Sequence, residues 1–179
     1  MLERDGADVI DPDWPDEALL DTSTPEQRSR IAELVGPWIE ACADAGFDAV
    51  EFDNLDSYTR SGGAMSLDDN LALAATLVGI AHAGGLAAGQ KNAAEETERL
   101  HDEAGFDFAV VEECRAYDEC DAYADVYGDH VIAIEYSDAL PRSFGELCGE
   151  PDAPASLVLR DRDLTVPGDP AYVFELCGR

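Results

Sequence analysis

Apolar positions along the chain fall into two alternating periods. Ile31, Leu34, Val35, Trp38, Ile39 and Cys42 recur every three to four residues, which predicts one apolar face of a helix. Its start is marked by Ser23-Thr24-Pro25-Glu26, a hydroxyl cap followed by proline and an acid, and its end by Gly46. Phe47 to Phe52 then reads as a strand ending in Asp53. Ser66 caps a second helix, apolar through Leu71, Leu73, Ala74, Leu77, Val78 and Ala81 and closed by Gly84-Gly85. Leu86 to Gly89 is a short strand followed by Gln90, Lys91 and Asn92, and a weaker helix covers Glu95 to Glu103. Phe106 to Val111 is a strand ending in Glu112, Asp118 to Tyr127 a short helix, and Val131 to Ile134 a strand ending in Glu135 and Tyr136. A helix near Leu147 and a strand from Ser156 to Leu159 complete the series. Before it, Met1 to Glu17 reads as an acidic loop with Pro12 and Pro15, and Leu19-Leu20 as a very short strand ending in Asp21.

Strand, polar residue and helix recurring about every 25 to 35 residues predict parallel strands with right-handed crossovers. Polar residues close nearly every strand, where the loops of a (β/α)8 TIM barrel carry their chemistry. An open doubly wound sheet is the rival, but no glycine-rich phosphate turn follows the first strand. The expected architecture is an α/β TIM-barrel type forming a single domain over residues 1–179. Six strands are counted from Leu19 to Leu159, against the eight of a closed barrel. An N-terminally incomplete barrel of about six βα units is therefore expected, with two further units before Met1. Self-association over the missing strands is one way to cover the edges so exposed.

Charge changes this picture little but narrows the partners. Forty acidic residues stand against eleven basic ones, giving −29 at pH 7. Such a field repels phosphate backbones, so neither nucleic acid nor an anionic membrane is an expected partner, whereas a polycation is attracted. Acids spread over the whole chain beside a single lysine, Lys91, also fit a halophilic protein with a hydrated carboxylate surface. No apolar run is long enough to span a membrane, and no signal peptide is visible at Met1. Of the five cysteines, Cys114 with Cys120 and Cys148 with Cys177 suggest two local disulfides and an oxidising compartment, leaving Cys42 over. Zinc is the rival, but no CxxC occurs and the three histidines do not stand at ligand spacing.

No GxSxG elbow, Walker loop, HExxH or GxGxxG is present. What remains is a set of strand ends rich in carboxylates and amides. Asp53 lies in a run with Glu51, Asn54 and Asp56 that could serve a nucleophile, a Mg or Ca site, or a helix cap. Strand alternation sends Asp53 and its neighbours to opposite faces, which weakens the metal reading. Lys91 beside carboxylates would keep one of them ionised. Glu112 at the top of an apolar strand suits proton donation, and two such carboxylates suffice to hydrolyse a glycosidic bond.

These segments resemble a known family. GFDAVEFDNLDSY (46–58), HAGGLAAGQKN (82–92), FDFAVVEECRAYDEC (106–120) and IEY (134–136) look like successive signatures of glycoside hydrolase family 114, the endo-α-1,4-polygalactosaminidases. DWPDEALLD (13–21) resembles that family's third-strand segment and LVLRDRDL (157–164) its closing strand. The resemblance implies a secreted, extracellular TIM-barrel hydrolase that cleaves an amino-sugar polysaccharide without a cofactor or metal. Asp53 would be the nucleophile or base and Glu112 the general acid. Asp21, Asn54, Asp56, Tyr58, Lys91, Asn92, Glu135 and Tyr136 would line the substrate cleft, and Cys114–Cys120 matches a family disulfide. The alternatives to an enzyme of this kind are a non-catalytic polysaccharide-binding remnant of the barrel and a Mg- or Ca-dependent barrel enzyme.

Overall fold

Hydrophobic periodicity this regular leaves little freedom in where the central elements form. The computed structural model describes residues 1–178, which divide into two compact units, 1–106 and 107–178.

The first unit opens on a hairpin of β1 (Glu3–Arg4) and β2 (Ala7–Asp8), where a loop is expected. Its two turn residues, Asp5 and Gly6, both have positive φ (54° and 80°), the geometry that suits the twist of a two-residue hairpin. Leu19 does not start a strand. Its carbonyl accepts the Leu2 N–H (2.7 Å) and its own N–H goes to the Val9 carbonyl (2.9 Å), so the hairpin takes up its backbone bonds. Leu2, Leu19 and Met65 form a small buried cluster against Val9 and Tyr58.

Helix α1 (Pro25–Asp44) begins as predicted, with the Thr24 hydroxyl accepting the Gln27 N–H. Only part of its apolar stripe is covered: Ile39 is buried, while Leu34 and Trp38 are 67% and 68% exposed. The helix meets α2 (Leu67–Ala83) through small residues. A Cβ on Gly36 would stand 3.4 Å from the Ile80 Cδ1, and one on Gly84 3.3 Å from the Ala43 Cβ. Helix α2 has a reciprocal capping box between Ser66 and Asp69, and all six apolar positions predicted for it are buried. Between the helices runs β3 (Ala49–Phe52), paired in parallel with β4 (Ala87–Lys91). The predicted 95–103 helix breaks into a 3-10 turn, the three-residue α3 (Thr97–Arg99) and a π turn that Gly105 ends at φ 86°.

In the second unit β5 (Phe108–Glu112), β6 (Val131–Tyr136) and β7 (Ser156–Arg160) pair in parallel. Helices α4 (Cys114–Tyr117), α5 (Cys120–Tyr127) and α6 (Phe144–Cys148) connect them. The core includes Val110, Val111, Tyr123, Leu147 and Leu157. An antiparallel strand, β8 (Phe174–Leu176), adds to β7 where no element is predicted. Its three residues are exposed and its sequence is not periodic; pairing to β7 and the adjacent disulfide hold it. Both expected disulfides form, Cys114–Cys120 and Cys148–Cys177, and Cys42 is free. Each unit is therefore mixed α/β with parallel strands and helices, and neither by itself closes a barrel among the described residues. No helix is long and apolar enough to cross a membrane among them.

Candidate active site

In the first unit the chemistry gathers where β3 and β4 end. Asp53 follows β3, and its Oδ1 accepts the Asn54 N–H at 2.6 Å. The Lys91 ammonium reaches Asp53 Oδ2 at 3.4 Å, with the lysine side chain 11% exposed and the aspartate 57%. Removing most of the water around one partner strengthens such a pair relative to a surface bridge. Asn54 is left-handed (φ 57°), as are Asn92 and Ala93 after β4 (φ 50° and 63°). Left-handed non-glycine residues carry strain that surrounding contacts must hold. Gln90 supplies the hold at the second turn. Fully buried, its amide donates to the carbonyls of Asn92 (2.7 Å) and Ala93 (3.3 Å) and to Thr97 Oγ1 (3.1 Å).

Arg60, which the sequence reading passed over, organises the polar cluster after β3. Its guanidinium donates to buried Asp11 (2.7 Å), to Asp56 (2.9 Å) and to the Asn54 side chain (3.1 Å). Burial works against ionisation of Asp11, but the Arg60 hydrogen bond and backbone N–H groups outweigh it and hold the carboxyl below its ordinary range. An i,i+4 acid–arginine pair in a chain poor in basic residues was the available signal. The Tyr58 hydroxyl donates to Glu96 at 2.6 Å, and that bond first, with burial second, pushes its phenol up to about 12.

Asp21 stands apart from this group. Its carboxylate accepts the Ser23 N–H and hydroxyl and a Gln27 amide N–H, ahead of α1. These bonds overcome the opposing effect of burial and keep it ionised below the usual carboxylate range. A cavity of about 300 Å³ lies beside Asp53 and Asn54, with Glu17 at its polar side and Val35, Phe52 and Leu77 among its apolar walls.

The second unit presents a separate constellation at the ends of β5, β6 and β7. The Tyr136 hydroxyl makes a short hydrogen bond to Glu112 Oε1. Burial first, then that bond to a carboxylate, raises the Tyr136 phenol well above its ordinary range and keeps it a proton donor. Glu113 is left-handed (φ 58°), so each of Asp53, Lys91 and Glu112 is followed directly by a turn of this rare kind.

Glu135 points away from solvent. It is 1% exposed, sharing the face of Val131 and Ala133 that strand alternation dictates. Its Oε1 accepts the Arg115 N–H at 2.8 Å, and the Ala116 N–H also bonds to its carboxyl, so it caps the start of α4. Desolvation dominates these bonds and raises its ionisation above the ordinary glutamate range. The structure thus brings together Asp53 with Lys91, Asn54 with Asp56, and Glu112 with Tyr136. It sets Asp21 at a helix start, Tyr58 against Glu96 and Glu135 beneath α4. Among the described residues no group of three or more His, Cys, Asp or Glu side chains is arranged to hold a metal ion.

The sequence model of glycoside-hydrolase family GH114 matches residues 4–179. Among solved structures the chain is similar to Aspergillus fumigatus Ega3, whose crystal structure is a complex with galactosamine. The identity is 25% and the TM-score 0.74, over 98% of this chain and 70% of that one. No match is found among curated proteins.

Proposed function

The chain belongs to glycoside-hydrolase family GH114, and from that membership we propose that it cleaves an α-1,4-linked galactosamine polymer internally by a two-carboxylate mechanism. Glu112 is the general acid that protonates the glycosidic oxygen, and Asp53 attacks the anomeric carbon or activates water. The observation that carries this reading is local. Each carboxylate follows or ends a parallel strand, each is succeeded by a left-handed residue, and each has one dedicated partner: Lys91 for Asp53, Tyr136 for Glu112.

The partners divide the labour in the way two-carboxylate chemistry needs. Lys91 sets its ammonium 3.4 Å from Asp53 Oδ2, a counter-charge beside the proposed base or nucleophile. Tyr136 orients the Glu112 carboxyl by binding one oxygen. Asn54, Asp56, Tyr58, Asn92 and Asp21 meet the sugar hydroxyls or amines, while Glu135 holds the start of α4. Galactosamine in the related crystal structure supports an amino-sugar substrate, and so does a strongly negative chain that concentrates polycations. Two disulfides fit a protein that works outside the cell.

Hydrolysis of de-N-acetylated galactosaminan by the purified chain, followed by reducing ends and product sizes, tests the reading. Asp53→Asn and Glu112→Gln should each lower turnover at least ~100-fold while the fold and polymer binding survive. Undiminished turnover in either variant defeats the assignment. Polymer binding without cleavage by the unaltered chain would instead favour a binding protein, and loss of activity on chelation a metal-dependent one.

A further inference from the structure

Arg162 lies just beyond β7, in a loop built on buried Asp161, whose carboxylate accepts the N–H groups of Thr165 (2.7 Å) and Val173 (3.1 Å). The Arg162 guanidinium makes two forks. Nη1 and Nη2 donate to Glu113 at 3.1 and 2.8 Å, and Nε and Nη2 donate to Asp138 at 2.9 Å each. Its carbon centre lies 4.6 Å from the centroid of the Tyr136 ring. Glu113, Asp138 and Arg162 follow β5, β6 and β7 in turn, so one side chain ties three successive loops. Between them sit the ring and hydroxyl that bind Glu112.

We propose that Arg162 is a positioning residue for the glycosidase reaction, fixing the Tyr136 ring and the Glu113 turn and, through them, the carboxyl of Glu112. The inference rests on the reading of Glu112 as the general acid. One feature separates it from an ordinary surface bridge: a planar guanidinium can serve two carboxylates and a ring face at once, which an ammonium cannot. Because the side chain is 45% exposed, where ion pairs add little to stability, its removal should be felt in the site more than in the fold. Arg162 also sets one positive charge against the two negative charges that Glu113 and Asp138 place near the proton Glu112 must give up. Ionisable groups on the elements that carry this proton include Glu113, Tyr136, Asp138 and Arg162 after the three strands, and Glu135 on β6.

The test compares Arg162→Lys and Arg162→Gln with Glu112→Gln on galactosaminan. Both arginine variants should lose roughly 10- to 100-fold in kcat with KM little changed, because a displaced acid costs rate rather than binding. The basic limb of the kcat/KM profile should move to higher pH in Arg162→Gln, where two bare carboxylates hold the proton, and less in Arg162→Lys. Thermal midpoints should stay near that of the unaltered protein, and Arg162→Lys carries the test if the glutamine variant fails to fold. Adding Tyr136→Phe to Arg162→Gln should cost less than the two single losses combined, since both act on one carboxyl. Arginine variants with unaltered kcat and pH profile, beside an inert Glu112→Gln, overturn the role of Arg162 alone. An active Glu112→Gln, or an unaltered chain without activity, overturns the glycosidase assignment and takes the inference with it.

Discussion

Glu135 offers the sharpest physical test, because its two replacements should act in opposite ways. Glu135→Leu deprives the Arg115 and Ala116 N–H groups of their acceptor at a buried position. Each unpaired donor costs about 1–3 kcal/mol. The change also removes Oε2, a buried oxygen with no hydrogen-bond partner, which returns part of that cost. The net loss works out at about 1–3 kcal/mol, concentrated at the start of α4. Since 1.4 kcal/mol is a factor of ten, hydrogen exchange at the two amides should quicken by about 5- to 150-fold.

Glu135→Gln keeps an oxygen acceptor and discards the titration. Burial raises the folded-state ionisation of Glu135, so the stability held by its protonated form is complete below the ordinary glutamate range. It is lost progressively as pH rises through the folded value. The glutamine variant should therefore gain on the unaltered protein as pH is raised above about 4. Urea denaturation across pH, with exchange measured at Arg115 and Ala116, reads both effects. Unchanged protection in the leucine variant, or parallel pH dependences in the glutamine variant, would refute the cap.

Three further outcomes follow from the geometry. Replacing Cys148 and Cys177 by serine opens a closure spanning a sequence separation of 29 residues, and should lower stability by about 3–4 kcal/mol and free β8, seen as proteolysis after β7. Gln90→Leu removes the amide that donates to the Asn92 and Ala93 carbonyls and to the Thr97 hydroxyl. A loss of about 1–3 kcal/mol in denaturation and a slower enzyme are expected, whereas wild-type stability would show that the turn holds itself. Stability should rise as salt is increased from dilute buffer toward molar concentration, because screening relieves the repulsion of −29 charges; a flat melting curve against salt would refute a halophilic origin of the acid excess.

The pattern of residues by itself determined those elements whose cause is local. Helix α2 is set by its capping box and continuous apolar period, and β5 and β6 by apolar runs that end in acids. The cysteine pairs lie close enough along the chain for spacing to suggest them, and Asp53, Lys91 and Glu112 stand at or beside strand ends for the same local reason. Even the inward aim of Glu135 is implicit in its register with Val131 and Ala133.

Tertiary structure alone decided the rest, because its causes lie far apart in sequence. Periodicity gave α1 one wide apolar face, but only tertiary packing buried Ile39 and left Leu34 and Trp38 exposed. Leu19 has the composition of a strand, yet Leu2 and Val9 take its backbone bonds. Arg162 meets Glu113 across 49 residues and Glu135 meets Arg115 across 20. A pairing of that range depends on how parallel strands stack their loops, and no window of sequence contains both partners.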